Sequence, residues 1–213
     1  MPSEIQLSAV LLVAAVVWGF LLLIDGVAVS IAWLRPLSTV SGTLVFLLAA
    51  FDLWLWRLPI LRGWFVKRPD VTGTWWGTIK SNWIDPSTGK QIGPIEGCVV
   101  IHQTFSALSM RLMTRESSSE LLGAEILKNS DGVFKIAGVY RNEPRQSVRH
   151  RSPIHHGAIL LQIIGTPATG LKGHYWTDRN TAGELEMIDH QKPVATDFES
   201  ASRLFVQERP GKS

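Results

Sequence analysis

Hydrophobic residues follow two regimes along this chain. Up to about residue 58 they come in long runs. Beyond Asp70 they come in short segments where apolar and polar positions alternate. Gln6–Ile24 carries no charge and is dominated by Leu, Val, Ala, Trp and Phe. An α-helix needs roughly 20 apolar residues to cross a bilayer, so this run predicts a first transmembrane helix. Leu37–Trp56 predicts a second, with Asp52 near its end. Between them, Asp25–Pro36 is interrupted by Asp25, Gly26, Arg35 and Pro36. It either extends the first helix or lies at the interface with Trp33 as an anchor. The first run lacks a basic lead and a second run follows at once, which argues against a cleaved signal peptide. A carboxylate in hydrocarbon costs about 2.5–3.5 kcal/mol, so Asp25 and Asp52 are expected at helix ends.

From Val71 onward the pattern predicts eight strands: Val71–Lys80, Gly97–Gln103, Ala107–Arg115, Leu121–Lys128, Val133–Asn142, Ala158–Ile164, Leu171–Asp178 and Glu184–Asp189. Turn-forming clusters separate them, Asp131-Gly132 being the strongest hairpin signal. Eight antiparallel strands suit a sandwich or a barrel, and eight close a barrel around one small ligand. Gly73-Thr74-Trp75 resembles the Gly-x-Trp signature of lipocalin-type barrels, where the Trp packs the floor. A short helix is predicted over Asp197–Val206, capped by Thr196 or Asp197. The fold class expected is therefore two N-terminal transmembrane α-helices plus an all-β, eight-stranded antiparallel, lipocalin-like minimal β-barrel with a short C-terminal helix. The domains are 1–68, a hairpin with a basic flank, and 69–213, the barrel.

Charge refines this picture. The chain has 213 residues and a net charge of +3. Five basic residues and three acidic ones precede Pro69, and the rest is nearly balanced. The basic pI near 9.2 therefore owes much to Arg57, Arg62, Lys67 and Arg68 and does not indicate a DNA- or RNA-binding surface. Arg35 alone marks the hairpin loop, against four basic residues after the second run, so both termini are expected on the cytoplasmic side of an inner membrane. Trp54, Trp56 and Trp64 would then sit at headgroup level. Cys98 is the single cysteine, and its Gly-Cys-Val-Val-Ile setting suggests a buried structural thiol.

Strand alternation also sorts candidate binding residues. Leu171, Gly173, Tyr175, Thr177 and Arg179 share one face; Phe134, Ile136, Gly138, Tyr140 and Asn142 share another. Arg suits bidentate contact with phosphate or carboxylate, and Thr177 adds a hydroxyl. An Arg at an ordinary strand end is the competing reading. Tyr140 and Asn142 could stack on and hydrogen-bond a planar base, or serve as a rim Tyr and a turn Asn. Arg141, Arg145, Arg149, His150, Arg151, His155 and His156 crowd a segment that Pro144 and Pro153 mark as a loop, either a positive lip or a solvated surface. Catalytic signatures such as His-Glu-x-x-His or Gly-x-Ser-x-Gly do not occur, so no enzyme, metal or cofactor is expected.

Two apolar helices, the Gly-Thr-Trp-Trp-Gly strand (73–77) and the Tyr-Trp-Thr-Asp-Arg-Asn-Thr-Ala-Gly segment (175–183) together resemble the two-transmembrane β-barrel effectors of bacterial CBASS antiphage systems, the SMODS-associating 2TM β-barrel family. The resemblance implies a barrel that binds a cyclic oligonucleotide, with a cyclic dinucleotide the form expected, made by a partner nucleotidyltransferase. It further implies a homo-oligomer on activation, disruption of the lipid bilayer and abortive death of the infected cell. By matching motif it assigns Thr177 and Arg179 as ligand contacts and Trp76 as a stacking aromatic. Trp75, Tyr140, Asn142 and Tyr175 join the candidates from the face pattern. Only one of Trp75 and Trp76 can point inward unless a bulge intervenes. Two other readings stand beside this one: a membrane-tethered, lipocalin-like carrier of a small apolar ligand, and a membrane protein whose barrel serves only as an interaction module.

Overall fold

The computed structural model describes residues 15–16, 19–20, 24, 34–85 and 88–206. Its chain divides into two compact units, 1–50 and 51–213. Most of the first predicted membrane run, and Asp25, lie outside the described residues. Residues 15, 16, 19, 20 and 24 are helical. The second run forms helix α1, Leu34–Leu53, and its side chains from Leu44 to Leu48 are exposed. No helix among the described residues is long and apolar enough to cross a membrane.

Eight strands follow: β1 Gly73–Ser81, β2 Ile95–Gln103, β3 Leu108–Thr114, β4 Ser117–Lys128, β5 Phe134–Pro144, β6 His155–Ile164, β7 Gly170–Thr177 and β8 Ala182–Gln191. Each pairs antiparallel with its sequence neighbour, and β1 with β8 closes the barrel. The alternation explains the closure. Inward positions such as Ile101, Ile136, Leu161, Leu171 and Met187 are fully buried, while their polar neighbours face out. A bulge in β8 opposite Trp76/Gly77 leaves Ile188 outside the register. The predicted strands all form. The largest differences are β4, which begins at Ser117 rather than Leu121, and β6, which begins at His155 rather than Ala158 and so turns part of the expected loop into barrel wall.

One barrel end is closed by residues 51–72. Trp75 is fully buried there, donates from Nε1 to the Val71 carbonyl at 2.9 Å and stacks on His190 with centroids 4.1 Å apart. Gln103 accepts from the Val71 N–H at 2.9 Å and donates to the Pro69 carbonyl at 3.0 Å. Arg57 donates to the Gln103 carbonyl and faces Asp70 at 3.6 Å. Asp52 stands at the end of α1 and accepts from the Ser106 N–H at 2.8 Å. Trp56 corrects an expectation: it is buried against Phe105 with the Arg57 guanidinium over its ring, not placed at a headgroup level. Trp54 and Trp64 are exposed.

Helix α2, Phe198–Val206, lies on the outer wall of β1 and β2. Asp197 caps it, accepting from the Ser200 N–H at 2.7 Å. Phe198, Ala201 and Phe205 cover Trp76, Cys98, Val100 and Met113 in a second small core outside the barrel. Burial pushes the Cys98 thiol up to about 12, as suits a structural cysteine.

Candidate functional site

The other barrel end is built differently. Where the floor end is packed with apolar groups, this end turns buried polar groups inward: Ser119, Asn142, His155 and Thr177. Strand register places them in tiers. Ser119 pairs with Asn142, and Asn142 with His155. Below them Tyr140, Gly157 and Thr177 form one tier. Ile159, Tyr175, Gly183 and Ser81 form the next.

Two glycines make room for the aromatic rings. A Cβ on Gly157 would come within 2.5 Å of the Tyr140 ring and of the Trp176 carbonyl oxygen. A Cβ on Gly183 would come within 2.6 Å of the Tyr175 ring and 2.3 Å of the Lys80 carbonyl oxygen. Each tyrosine therefore lies across a glycine on the neighbouring strand, which holds its ring against the wall and presents it to the barrel mouth.

Polar contacts orient the rest. Ser119 donates to Asn142 Oδ1 at 2.8 Å, and the Thr177 and Thr181 hydroxyls share a hydrogen bond of 2.7 Å. The Arg179 N–H donates to Thr177 Oγ1 at 3.2 Å, and its Nη1 donates to Ser152 Oγ at 3.2 Å. Arg179 Nε is buried without a partner among the described residues. Such an atom costs free energy unless something else accepts from it. Burial pushes the Tyr140 phenol well above its ordinary value, with Arg179 opposing, so the ring stays a neutral donor. Burial also pushes the His155 imidazole below its ordinary value; the Pro153 carbonyl, 3.0 Å from Nδ1, opposes that and Arg179 adds to it.

Of the seven candidates, the structure brings together Tyr140, Asn142, Tyr175, Thr177 and Arg179. It separates the two tryptophans from them. Trp75 lies on the barrel floor, six residues along β1 from Ser81, which stands level with Tyr175; at about 3.3 Å per residue that is roughly 20 Å. Trp76 points outward, its ring 5.2 Å from Phe198 and 5.8 Å from Phe205 beneath α2. Neither ring is placed to stack on a ligand at the mouth. Ser119, His155 and Ser152 were not singled out for the site by sequence. The alternation His155, Gly157, Ile159, Leu161, Ile163 carried the signal for His155, but the adjacent Pro153 and basic cluster masked it. Within that cluster Arg141, Arg145 and Arg151 pair with Glu143, Glu199 and Glu116 at 2.9, 2.7 and 2.6 Å. Most of its charge is thereby neutralised by neighbouring acids.

A closed eight-stranded barrel with a packed floor and an aromatic, polar, Arg-bearing mouth is of the class that in general suits a small planar or anionic ligand. Residues 66–188 match the family model described as "Cap15, cyclic dinucleotide receptor domain", and the chain belongs to that family of CBASS effectors. Over 197 residues it is 25% identical to "CD-NTase-associated protein 15" of Escherichia albertii, covering 88% of this chain and 95% of the relative. The matched domain spans the floor segment from Val66 and runs into β8, so it contains the whole mouth.

Proposed function

We propose that this chain is a membrane-held effector whose barrel mouth binds a cyclic dinucleotide made by a partner nucleotidyltransferase. Binding then drives oligomerisation of the transmembrane helices, disruption of the inner membrane and death of the infected cell. The observation that carries the reading is the orphaned Arg179 Nε beside Thr177, Tyr140 and Tyr175 at the mouth. A cyclic dinucleotide offers two bases and two phosphates. Base–aromatic stacking is worth about 1–3 kcal/mol per base, and a guanidinium–phosphate contact about 1.5–3 kcal/mol. Asn142 and His155 supply hydrogen-bonding groups at base-edge height. The cytoplasmic, two-helix membrane placement rests on the uncharged 6–24 run, the exposed apolar run Leu44–Leu48 and the basic flank.

A carrier of an apolar ligand fits less well. The floor half of the barrel is filled by Trp75, Ile101, Leu161 and Met187, all without exposure, and the other half turns the polar Ser119, Asn142, His155 and Thr177 inward. Arg179→Ala in the full chain should leave the barrel's circular dichroism unchanged and weaken cyclic dinucleotide binding by about 10- to 100-fold, as measured by calorimetry. Undiminished affinity would remove the assignment.

A further inference from the structure

The outer wall of the barrel carries a feature that ligand binding does not use. Outward side chains of β5, β6 and β7 lie in level rows set by the register. One row is Val139, Ala158, Trp176 and Ala182. The row on its floor side is Ala137, Leu160, His174 and Glu184. Val139 is 52% exposed and Trp176 48%, with Leu122 at 64% at the flank of the first row. The imidazole of His174 stacks over the Trp176 ring at 5.8 Å. Charged rows frame the patch. On the mouth side stand Arg141 and His156, with Asp178 adjoining His156 through the bond from the His156 N–H to Asp178 Oδ2 at 3.0 Å. On the floor side stand Lys135, Gln162, Lys172 and Glu186.

We propose that this wall is the surface through which two copies of the chain meet, related by a two-fold axis running along β6. The proposal rests on the membrane-effector reading above, because it needs copies gathered in one plane. Charge order selects a second copy as the occupant. A two-fold along β6 sets β5 of one copy against β7 of the other at the same height. Arg141 then faces Asp178 of the second copy, and Val139 faces its Trp176. Ala158 and Leu160 meet their own counterparts on the axis. Lys135 comes opposite Lys172, whose charge Glu186 already neutralises at 2.5 Å. The intrachain contacts to be exchanged, Arg141 with Glu143 and His156 with Asp178, join exposed groups and hold little free energy. With strands about 4.8 Å apart and residues rising about 3.3 Å, the patch covers on the order of 300 Å². A stable interface buries about 800 Å² per partner. Dilute copies therefore stay apart, and copies confined together by a membrane gain the effective concentration that lets a small patch pair.

The test is cross-linking of the full chain in bacterial cells with a short membrane-permeant bismaleimide. Cys98 is buried beneath α2, so it stays silent. Ala158→Cys should give a dimer band several-fold stronger than Ser109→Cys, which lies on the outer face of β3. In the Ala158→Cys chain, Arg141→Asp or Asp178→Arg alone should cut the band several-fold, and the two together should restore it. Equal cross-linking at 158 and 109, or no loss on either charge reversal, or no restoration in the pair, would overturn the interface. Cell fractionation of the same samples reports separately on the membrane reading: a chain in the soluble fraction counts against that reading, and a membrane-bound chain with no Ala158→Cys dimer counts against this wall.

Discussion

Arg179 concentrates the chemistry of the mouth into one side chain. Its Nη1 is satisfied by Ser152, its backbone by Thr177, and its Nε by nothing among the described residues. Its neighbour across the site, His155, gives a pH signature. The folded-state pKa lies below the ordinary value because burial disfavours the charged ring. Between the two values the unfolded chain binds more protons, so stability is fully present above the ordinary histidine range and is lost as pH falls through the depressed folded-state pKa. Denaturant midpoints measured between about pH 7 and 5 should fall for the wild type, and His155→Gln should flatten that slope. An unchanged slope would show that His155 does not titrate in this way. Much of this residue-scale picture was legible beforehand. Period-2 alternation placed Tyr140, Asn142, Tyr175 and Thr177 on inward faces, because a strand's side chains have only two directions. His155 was hidden because the prolines and arginines around it read as loop and masked the alternation that runs back to it from Ile163.

Elements explain what single residues could not. Gly-Thr-Trp-Trp-Gly offered two tryptophans on opposite faces and no local means of choosing their roles. Barrel closure sends Trp75 to the floor, and α2 covers Trp76 from outside. Both rings are thus structural, though the sequence linked them to the ligand. The helix itself was readable from its Thr196 or Asp197 cap, but its docking place was not, since a chain can fold it against any wall. Trp76→Leu removes the ring that packs on Phe198 and Phe205 and should cost about 2–3 kcal/mol of stability, seen as a lower melting temperature. Cyclic dinucleotide affinity of the folded variant should match the wild type. A large loss of affinity with the fold intact would place Trp76 in the site after all.

At the scale of the whole molecule, the chain divides into two compact units, 1–50 and 51–213, where the sequence reading set its division at 68/69. Residues 51–72, which the sequence divided between the end of the second apolar run, the basic flank at 57–68 and the start of the barrel domain, together make the barrel's floor through Trp56, Arg57, Arg68 and Asp70. Charge counting placed those residues near a membrane but could not see that Arg57 and Arg68 donate to the carbonyls of Gln103 and Phe105. The barrel therefore has a packed, apolar floor and a polar mouth at opposite ends, and the family to which the chain belongs is one of cyclic dinucleotide receptors. The most direct test of that account is a crystal structure of the protein with a cyclic dinucleotide that binds it in solution. The account predicts the ligand at the mouth, a phosphate within hydrogen-bonding distance of Arg179 Nε and a base against Tyr140 or Tyr175. A ligand seated on the outer wall or against Trp75 at the floor would contradict it.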